Sequence, residues 1–172
     1  VDPGTIEAKR AAVLRGQVTN REGDPIPGVT ITILNHPEYG QTLSRSDGMY
    51  DLAVNGGGVL TVRYEKGGYL KAQRQADIPW QDFIWLPDVT LVSFDPQATA
   101  IDLSAPGLQT ARGTRQADAD GTRQATLLVP PGTSAQMILP GGGILPLTGS
   151  LNIRATEYTV GPNGPKAMPA PL

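Results

Sequence analysis

Residues that could do chemistry are few in this chain, and their spacing rarely suits a known reaction. The sole histidine, His36, precedes Pro37. A catalytic triad or a zinc site would need partners that nothing places beside it, so it reads as a rim histidine. Asp118-Ala119-Asp120-Gly121 begins like a calcium loop, but the twelfth position of such a loop must be a bidentate acid and here it is Val129. A solvated hairpin turn is the better reading. Ser44, Ser46, Asp47 and Asp51 bring oxygens around Gly48 and could surround a calcium ion. Asp-Gly is equally what a hairpin turn demands for its backbone alone, and that reading is preferred. Gly56-Gly57-Gly58 and Gly141-Gly142-Gly143 lead neither into Lys-Ser/Thr nor into a helical pattern, so they are turns rather than phosphate cradles. Trp80, Phe83 and Trp85 could form an exposed platform for carbohydrate or a partner. With only two tryptophans and two phenylalanines in the chain, their use as anchors of the core is the expectation. No catalytic residue, cofactor-binding residue or metal ligand emerges, and hydrolase, transferase and redox constellations are all missing.

Composition narrows the class. A length of 172 residues means one large domain or two small ones, a domain being typically about 100–150 residues. Gly (21) and Pro (16) punctuate short apolar runs without a collagen-like period, as many turns between short strands require. The recurring alternation of Val, Ile and Leu excludes a disordered chain. Net charge is −2 and the basic residues are scattered, so nothing marks a nucleic-acid partner. Cysteine is absent, which removes disulfides, thiol catalysis and thiolate metal sites. No apolar run approaches the roughly 20 residues of a membrane helix, so membrane insertion is not expected. The start, VDPGTIEAKR, lacks the form of a signal peptide and does not begin with Met. A processed product, or a piece of something longer, is expected.

The pattern along the chain is that of strands. Residues 1–12 are a polar lead-in, either mobile or a short helix at Ile6–Ala12. Val13–Val18 alternates Val13, Arg15 and Gln17 against Leu14, Gly16 and Val18. Val29–Leu34 sets Val29, Ile31 and Ile33 on one face and threonines on the other. Thr42–Ser46 and Met49–Val54 are expected to form a hairpin about Asp47-Gly48. Val59–Tyr64 and an edge strand at Tyr69–Gln75 follow, and then Ile78–Val92, where Pro79 and Pro87 exclude a helix interior. That segment is expected to cross the sandwich, plug the first core with its aromatics, and end in a strand at Val89–Val92. Seven short strands make a β-sandwich over 13–93. A second β-rich unit, 94–160, is expected to hold strands at Thr99–Leu103, Leu108–Gln116, Thr122–Val129, Ala135–Leu139 and Leu151–Thr159. The pentapeptide GTRQA occurs at Gly113–Ala117 and Gly121–Ala125, as two arms of a hairpin or a local duplication. This unit runs into a Pro-rich tail, 161–172, without a closing strand; either it continues past the tail or another chain or segment completes it.

From Gly16 to Ile33 the chain reads G-x-V, then G-D-P-I-P-G-V-x-I-x-I, followed by S-R-S-D-G-M-Y-D-L. In this it resembles a carboxypeptidase regulatory-like domain, a transthyretin-like seven-stranded sandwich that serves as an accessory module. The segments Asn35–Gly48, with His36, Pro37, Glu38, Tyr39, Gly40, Asp47 and Gly48, and Ile78–Ile84 resemble those of teneurins and bacterial YD-repeat (Rhs-type) proteins. The resemblance covers about Leu14 to Val92. It implies an all-β chain of two β-sandwich domains, the second an immunoglobulin- or fibronectin-like plug that seals one end of a hollow shell of YD repeats. Leu127–Thr133, LLVPPGT, is also similar to ZU5-type sandwiches.

The resemblance further implies a non-enzymatic, structural, secreted or cell-surface segment of a bacterial, toxin-related YD-repeat protein. Its partner would be the remainder of its own polypeptide or a cleaved companion chain, and no cofactor is implied. The tail or last strands are expected to dock into that remainder, and cleavage at Leu172 is expected within a larger precursor. The alternative is a free-standing extracellular adhesive or carbohydrate-binding protein, which would hold Trp80, Phe83 and Trp85 at the surface. A self-cleaving enzyme is the weakest reading, because no nucleophile is identified.

Overall fold

Strict apolar–polar alternation sets the first strands. The structure, a computed structural model, describes residues 1–119, 121–158 and 164–170. β1 (Ala11–Thr19) buries Leu14, Gly16 and Val18 and turns Val13, Arg15 and Gln17 outward, as expected for a strand with one face in the core. It is followed by β2 (Thr30–Ile33), β3 (Gln41–Leu43), β4 (Met49–Asn55), β5 (Gly58–Glu65), β6 (Ala72–Ile78), β7 (Phe83–Trp85) and β8 (Val89–Thr90). One sheet has the order β4-β1-β7, with β8 also lying along β1. In it β4 is antiparallel to β1, while β7 and β8 are parallel to it. The other sheet, β3-β2-β5-β6, is antiparallel throughout, and β6 is its edge.

The core of this first unit is aliphatic. Leu14, Val18, Val29, Ile31, Val54, Val62, Ile78, Leu86 and Leu91 are all essentially inaccessible. Each such side chain contributes on the order of 1.5–3 kcal/mol by leaving water. One polar contact crosses the core: the hydroxyls of Tyr50 on β4 and Tyr64 on β5 meet at 2.7 Å, with the rings edge to face at 5.7 Å. Gly16, the register partner of Tyr50, makes the room, since a Cβ there would lie 2.7 Å from the Tyr50 hydroxyl oxygen.

Several elements differ from expectation. Residues 1–10 form turns rather than a helix at Ile6–Ala12, and they are held in place. Asn55 accepts from the Glu7 N–H through Oδ1 and donates through Nδ2 to the Thr5 carbonyl, both at 2.8 Å. Asp47-Gly48 closes a local turn, with the Gly48 N–H donating to the Arg45 carbonyl at 2.9 Å and the Arg45 N–H to the Met49 carbonyl at 2.8 Å. The expected hairpin goes no further: β3 pairs with β2 and β4 with β1, so the turn carries the chain from one sheet to the other. Gly48 has φ +75°, and a Cβ on it would sit 2.5 Å from the Val18 carbonyl oxygen. The Asp-Gly pair thus answers a close approach to β1, a need that local sequence cannot distinguish from a hairpin turn. The edge strand lies at Ala72–Ile78 rather than Tyr69–Gln75.

The chain divides into two units: Val1–Ser93 with the C-terminal stretch from Tyr158, and Phe94–Glu157. The second unit contains β9 (Thr99–Asp102), β10 (Gln109–Arg112), β11 (Gln116–Asp118), β12 (Gly121–Arg123), β13 (Thr126–Val129), β14 (Ala135–Ile138), β15 (Ile144–Leu147) and β16 (Ser150–Ile153). They form four antiparallel two-stranded ladders, β9–β16, β10–β13, β11–β12 and β14–β15. β15, between the expected strands at Ala135–Leu139 and Leu151–Thr159, was not expected; it lies just beyond Gly141-Gly142-Gly143 and contains Pro146. The expected strand to Thr159 ends at Ile153, and Thr159 lies outside the described residues.

The GTRQA copies are arms of the β11–β12 hairpin: Gln116 faces Arg123 and Asp118 faces Gly121. The two copies are tied further by Gly113 N–H to the Ala125 carbonyl at 3.0 Å and Gln124 Nε2 to the Gly113 carbonyl at 2.8 Å. Buried Asp95 accepts from the Thr114 N–H and hydroxyl and from the Gln97 N–H, which pins the start of the unit.

The tyrosine pair makes two predictions. Tyr64→Phe leaves the Tyr50 hydroxyl buried without its partner and should cost about 1–3 kcal/mol, whereas Tyr50→Phe/Tyr64→Phe together should cost less than the sum of the two single changes, read by urea unfolding. Burial pushes the Tyr64 phenol up to about 12, and burial, with Tyr64 adding to it, raises Tyr50 as well. An unfolded tyrosine ionises near about 10, so the neutral pair stabilises the fold fully below that pH and the contribution is lost as pH rises through about 12. Unfolding free energy measured from pH 9 to pH 12 should therefore fall more steeply in the parent than in the double phenylalanine variant.

Candidate functional site

β7 is a three-residue strand whose alternation points Phe83 and Trp85 the same way, and the core does not take them. Phe83 is 69% exposed and Trp85 60%, with Trp80, just ahead of the strand, at 57%. The expected aromatic plug is therefore wrong: Ile78, Leu86, Val89 and Leu91 from the same segment fill the core instead. The reason is register. β7 runs parallel to β1 with Val13 beside Phe83 and Arg15 beside Trp85, and Val13 and Arg15 belong to the outward set of β1. Pairing decides the face, and period-2 alternation then puts both rings outside.

Three strands thus present one outer face. Across it lie Ala53, Val13 and Phe83 in one row and Asp51, Arg15 and Trp85 in the next, with Met49 beside Gln17. The Arg15 guanidinium stands 5.7 Å from the centre of the Phe83 ring, in cation–π range. Its Nε donates to Asp51 Oδ1 at 2.6 Å, and Arg45 Nη1 donates to Asp51 Oδ2 at 2.7 Å. These two donors, Arg15 foremost, hold the Asp51 carboxyl below the usual carboxylate range. Trp80 packs over the Gly56-Gly57-Gly58 turn, where a Cβ on Gly57, at φ +100°, would lie 2.2 Å from the indole Nε1. The triple glycine therefore accommodates a neighbouring chain segment. Nothing in its surroundings resembles a phosphate cradle.

The other candidates resolve into structure. Ser44 Oγ donates to the Ile26 carbonyl and accepts from the Val29 N–H, sealing the Pro/Gly turn. With Asp51 held by two arginines and Asp47 capping the Met49 N–H, the Ser44, Asp47 and Asp51 oxygens near Gly48 all have protein partners. In the family-resembling loop, Pro37–Tyr39 is one 3-10 turn. His36 stacks on Tyr39 at 5.3 Å and its Nδ1 lies 2.8 Å from Glu38 Oε1, which keeps the Glu38 carboxyl below its ordinary range. Asp118 is bound bidentately by Arg123, whose Nε also reaches Glu157; Asp120 lies outside the described residues. Among the described residues no group of three or more His, Asp or Glu side chains could hold a metal ion. No described helix is long and apolar enough to cross a membrane.

Cavities lined by described residues occur in both units. One in the first unit, about 220 Å³, is bordered by Asn20, Glu22, Tyr69 and Ser93. One in the second unit, about 240 Å³, is apolar and lined by Ile101, Leu127, Val129, Leu151 and Ile153. Beyond Ile101, Ala111 and Val129, with Ile153 against them, the second unit buries little. Ile138, Ile144, Leu108 and Leu128 all lie largely exposed.

Comparison with known proteins matches residues 6–91 to the family described as the teneurin TTR-like domain. Teneurin-1 of Gallus gallus is 35% identical over 107 residues, 61% of this chain and 4% of that protein. Teneurin-3 of Mus musculus is 37% identical over 94 residues, 55% of this chain and again 4% of its own. The chain thus spans about 4% of the length of the curated relatives it matches. Among solved structures, the Bacillus anthracis TIE protein superposes with a TM-score of 0.43 at 11% identity, over 86% of this chain and 32% of that one, a likeness too low to carry an argument.

Because the aromatic trio stands outside the core, truncating it should barely affect folding. Phe83→Ala and Trp85→Ala are each expected to change unfolding free energy by less than about 1 kcal/mol in urea titration, against roughly 3–5 kcal/mol for a buried aromatic.

Proposed function

The chain belongs to the teneurin TTR-like domain family through residues 6–91, and on that premise we propose that it is a non-enzymatic structural module of a larger, secreted or cell-surface protein. The outer face of β4-β1-β7 is its docking surface. The observation that carries this reading is that Phe83 and Trp85 stand exposed on that face, with exposed Trp80 just ahead of the strand, on a sandwich whose core closes without them. Trp and Arg are both enriched among the side chains that dominate protein interfaces: Trp buries a large area with two rotatable bonds, and the planar Arg guanidinium stacks on aromatic faces and donates several hydrogen bonds. The finer setting is a bacterial YD-repeat (Rhs-type) protein in which the second unit caps or plugs a β-shell. Its slender core and outward Leu128, Ile138 and Ile144 suit a unit that further polypeptide covers. The partner is the remainder of the same polypeptide or a cleaved companion chain.

The exposed rings also favour a second reading, an adhesive module that stacks sugar rings on Trp85 and Phe83 beside the polar Arg15–Asp51 pair. One experiment separates the two. The Phe83→Ala/Trp85→Ala change is made in the complete gene product, which is nicked by limited proteolysis and passed over a sizing column. The docking reading expects the parent segment to stay associated and the double variant to be released. Equal retention of both, combined with glycan-array binding by the parent alone, would overturn docking in favour of the adhesive module.

A further inference from the structure

Residues 164–170 return to the first unit and are gripped there by a small set of groups. The helical turn Gly164–Ala167 and the residues after it offer backbone carbonyls to Arg74 on β6. Its Nη2 donates to the Lys166 carbonyl, and its Nη1 to the Met168 carbonyl at 2.8 Å. One residue earlier, the Gln73 N–H donates to the Pro169 carbonyl at 2.8 Å, a backbone bond on the outer edge of β6. Lys166 Nζ reaches Asp88 Oδ2, beside β8, at 3.3 Å. Ala167 sits between these anchors, 3% exposed.

The receiving surface is built without help from the segment it holds. Arg74 is oriented by its own strand, because Nη1 also bonds the Gln73 carbonyl at 2.6 Å, and it lies close enough to Tyr50 and Tyr64 to act on both electrostatically. Each strand of the two sheets pairs with another strand of the first unit, so no ladder needs residues 164–170 for completion. An edge strand whose outer N–H bonds the segment, a guanidinium aimed at carbonyls, a carboxylate for a cation and a place where the Ala167 methyl is buried together make a peptide-recognition surface.

We propose that the notch between β6 and β8, formed by Gln73, Arg74 and Asp88, is a peptide-binding site whose built-in ligand is the chain's own residues 164–170. The class of ligand it takes is a short segment whose basic and small residues, one after the other, close a helical turn, with a proline two positions after the small residue. A partner carrying such a segment competes with the chain's own. The site stands independently of the docking face on β7.

The test uses the full chain. In hydrogen exchange followed by NMR, the Gln73 amide should exchange through local opening, at least about tenfold faster than amides of β5 such as Val62. Ala167→Asp should expel the segment and leave the sandwich folded by circular dichroism. A fluorescent peptide of residues 164–170 should then bind the Ala167→Asp chain, bind the parent at least about tenfold more weakly, and fail to bind Arg74→Ala/Ala167→Asp. The proposal is overturned if Gln73 and Val62 exchange at one common rate, if Ala167→Asp unfolds the first unit, if that variant binds no peptide, or if parent and variant bind it equally.

Discussion

Two tyrosine hydroxyls, buried and bonded to each other at 2.7 Å, join the sheets of the first unit across an otherwise apolar core. A hydroxyl in such a place has no water to turn to, so each is satisfied only while the other stays put. That requirement propagates. Tyr50 needs a residue without a side chain opposite it, which Gly16 supplies. Tyr64 needs β5 in one register against β2 and β6, which fixes the second sheet. Arg74 stands on the flank of the pair, half buried, and burial there lowers its affinity for a proton. The same guanidinium bonds the C-terminal segment through the Lys166 and Met168 carbonyls.

The surface follows from the same registers. Once β1 gives Leu14, Gly16 and Val18 to the core, Val13 and Arg15 face outward, and the short parallel pairing of β7 carries Phe83 and Trp85 out with them. Large aromatics on the outside of a closed sandwich cost little in folding and offer much to a partner. The arginine–aspartate network among them orders the polar part of the face: one carboxylate, Asp51, is shared by guanidiniums from β1 and from the turn before β4. The second unit contrasts with this. Four two-stranded ladders around Ile101, Ala111 and Val129 bury few side chains, and one buried carboxylate, Asp95, organises its first loop.

Much of the first unit could be read in the chain because its information is local. Alternation divides β1 into two sets and puts Val29, Ile31 and Ile33 on one apolar face, and the structure buries Leu14, Gly16 and Val18 of the first strand and the apolar set of the second. The motif residues from Gly16 to Gly48 indicated a transthyretin-like sandwich, and the family match over residues 6–91 agrees. Less was legible where one local signal serves two geometries. Asp47-Gly48 suits a hairpin and equally an arch between sheets, and only the approach of Gly48 to the Val18 carbonyl distinguishes them. β15 was not legible, since it is a short strand carrying Pro146 just after Gly141-Gly142-Gly143, and its ladder is made with β14 across that turn. The tyrosine pair left no trace in the pattern, because alternation shows that Tyr50 and Tyr64 point inward but not that they meet.

The sequence by itself determined an all-β chain, the alternating faces of its clearest strands and a boundary near Phe94. Each of these depends on residue type and on neighbours a few positions away. Tertiary structure alone decided which way Trp80, Phe83 and Trp85 point. A three-residue strand has no face of its own, and it acquires one only from the register of the strand it pairs with, here β1, which lies far back in the chain. The same holds for residues 164–170, whose place is set by Arg74 and Asp88, groups that no spacing in the sequence brings together.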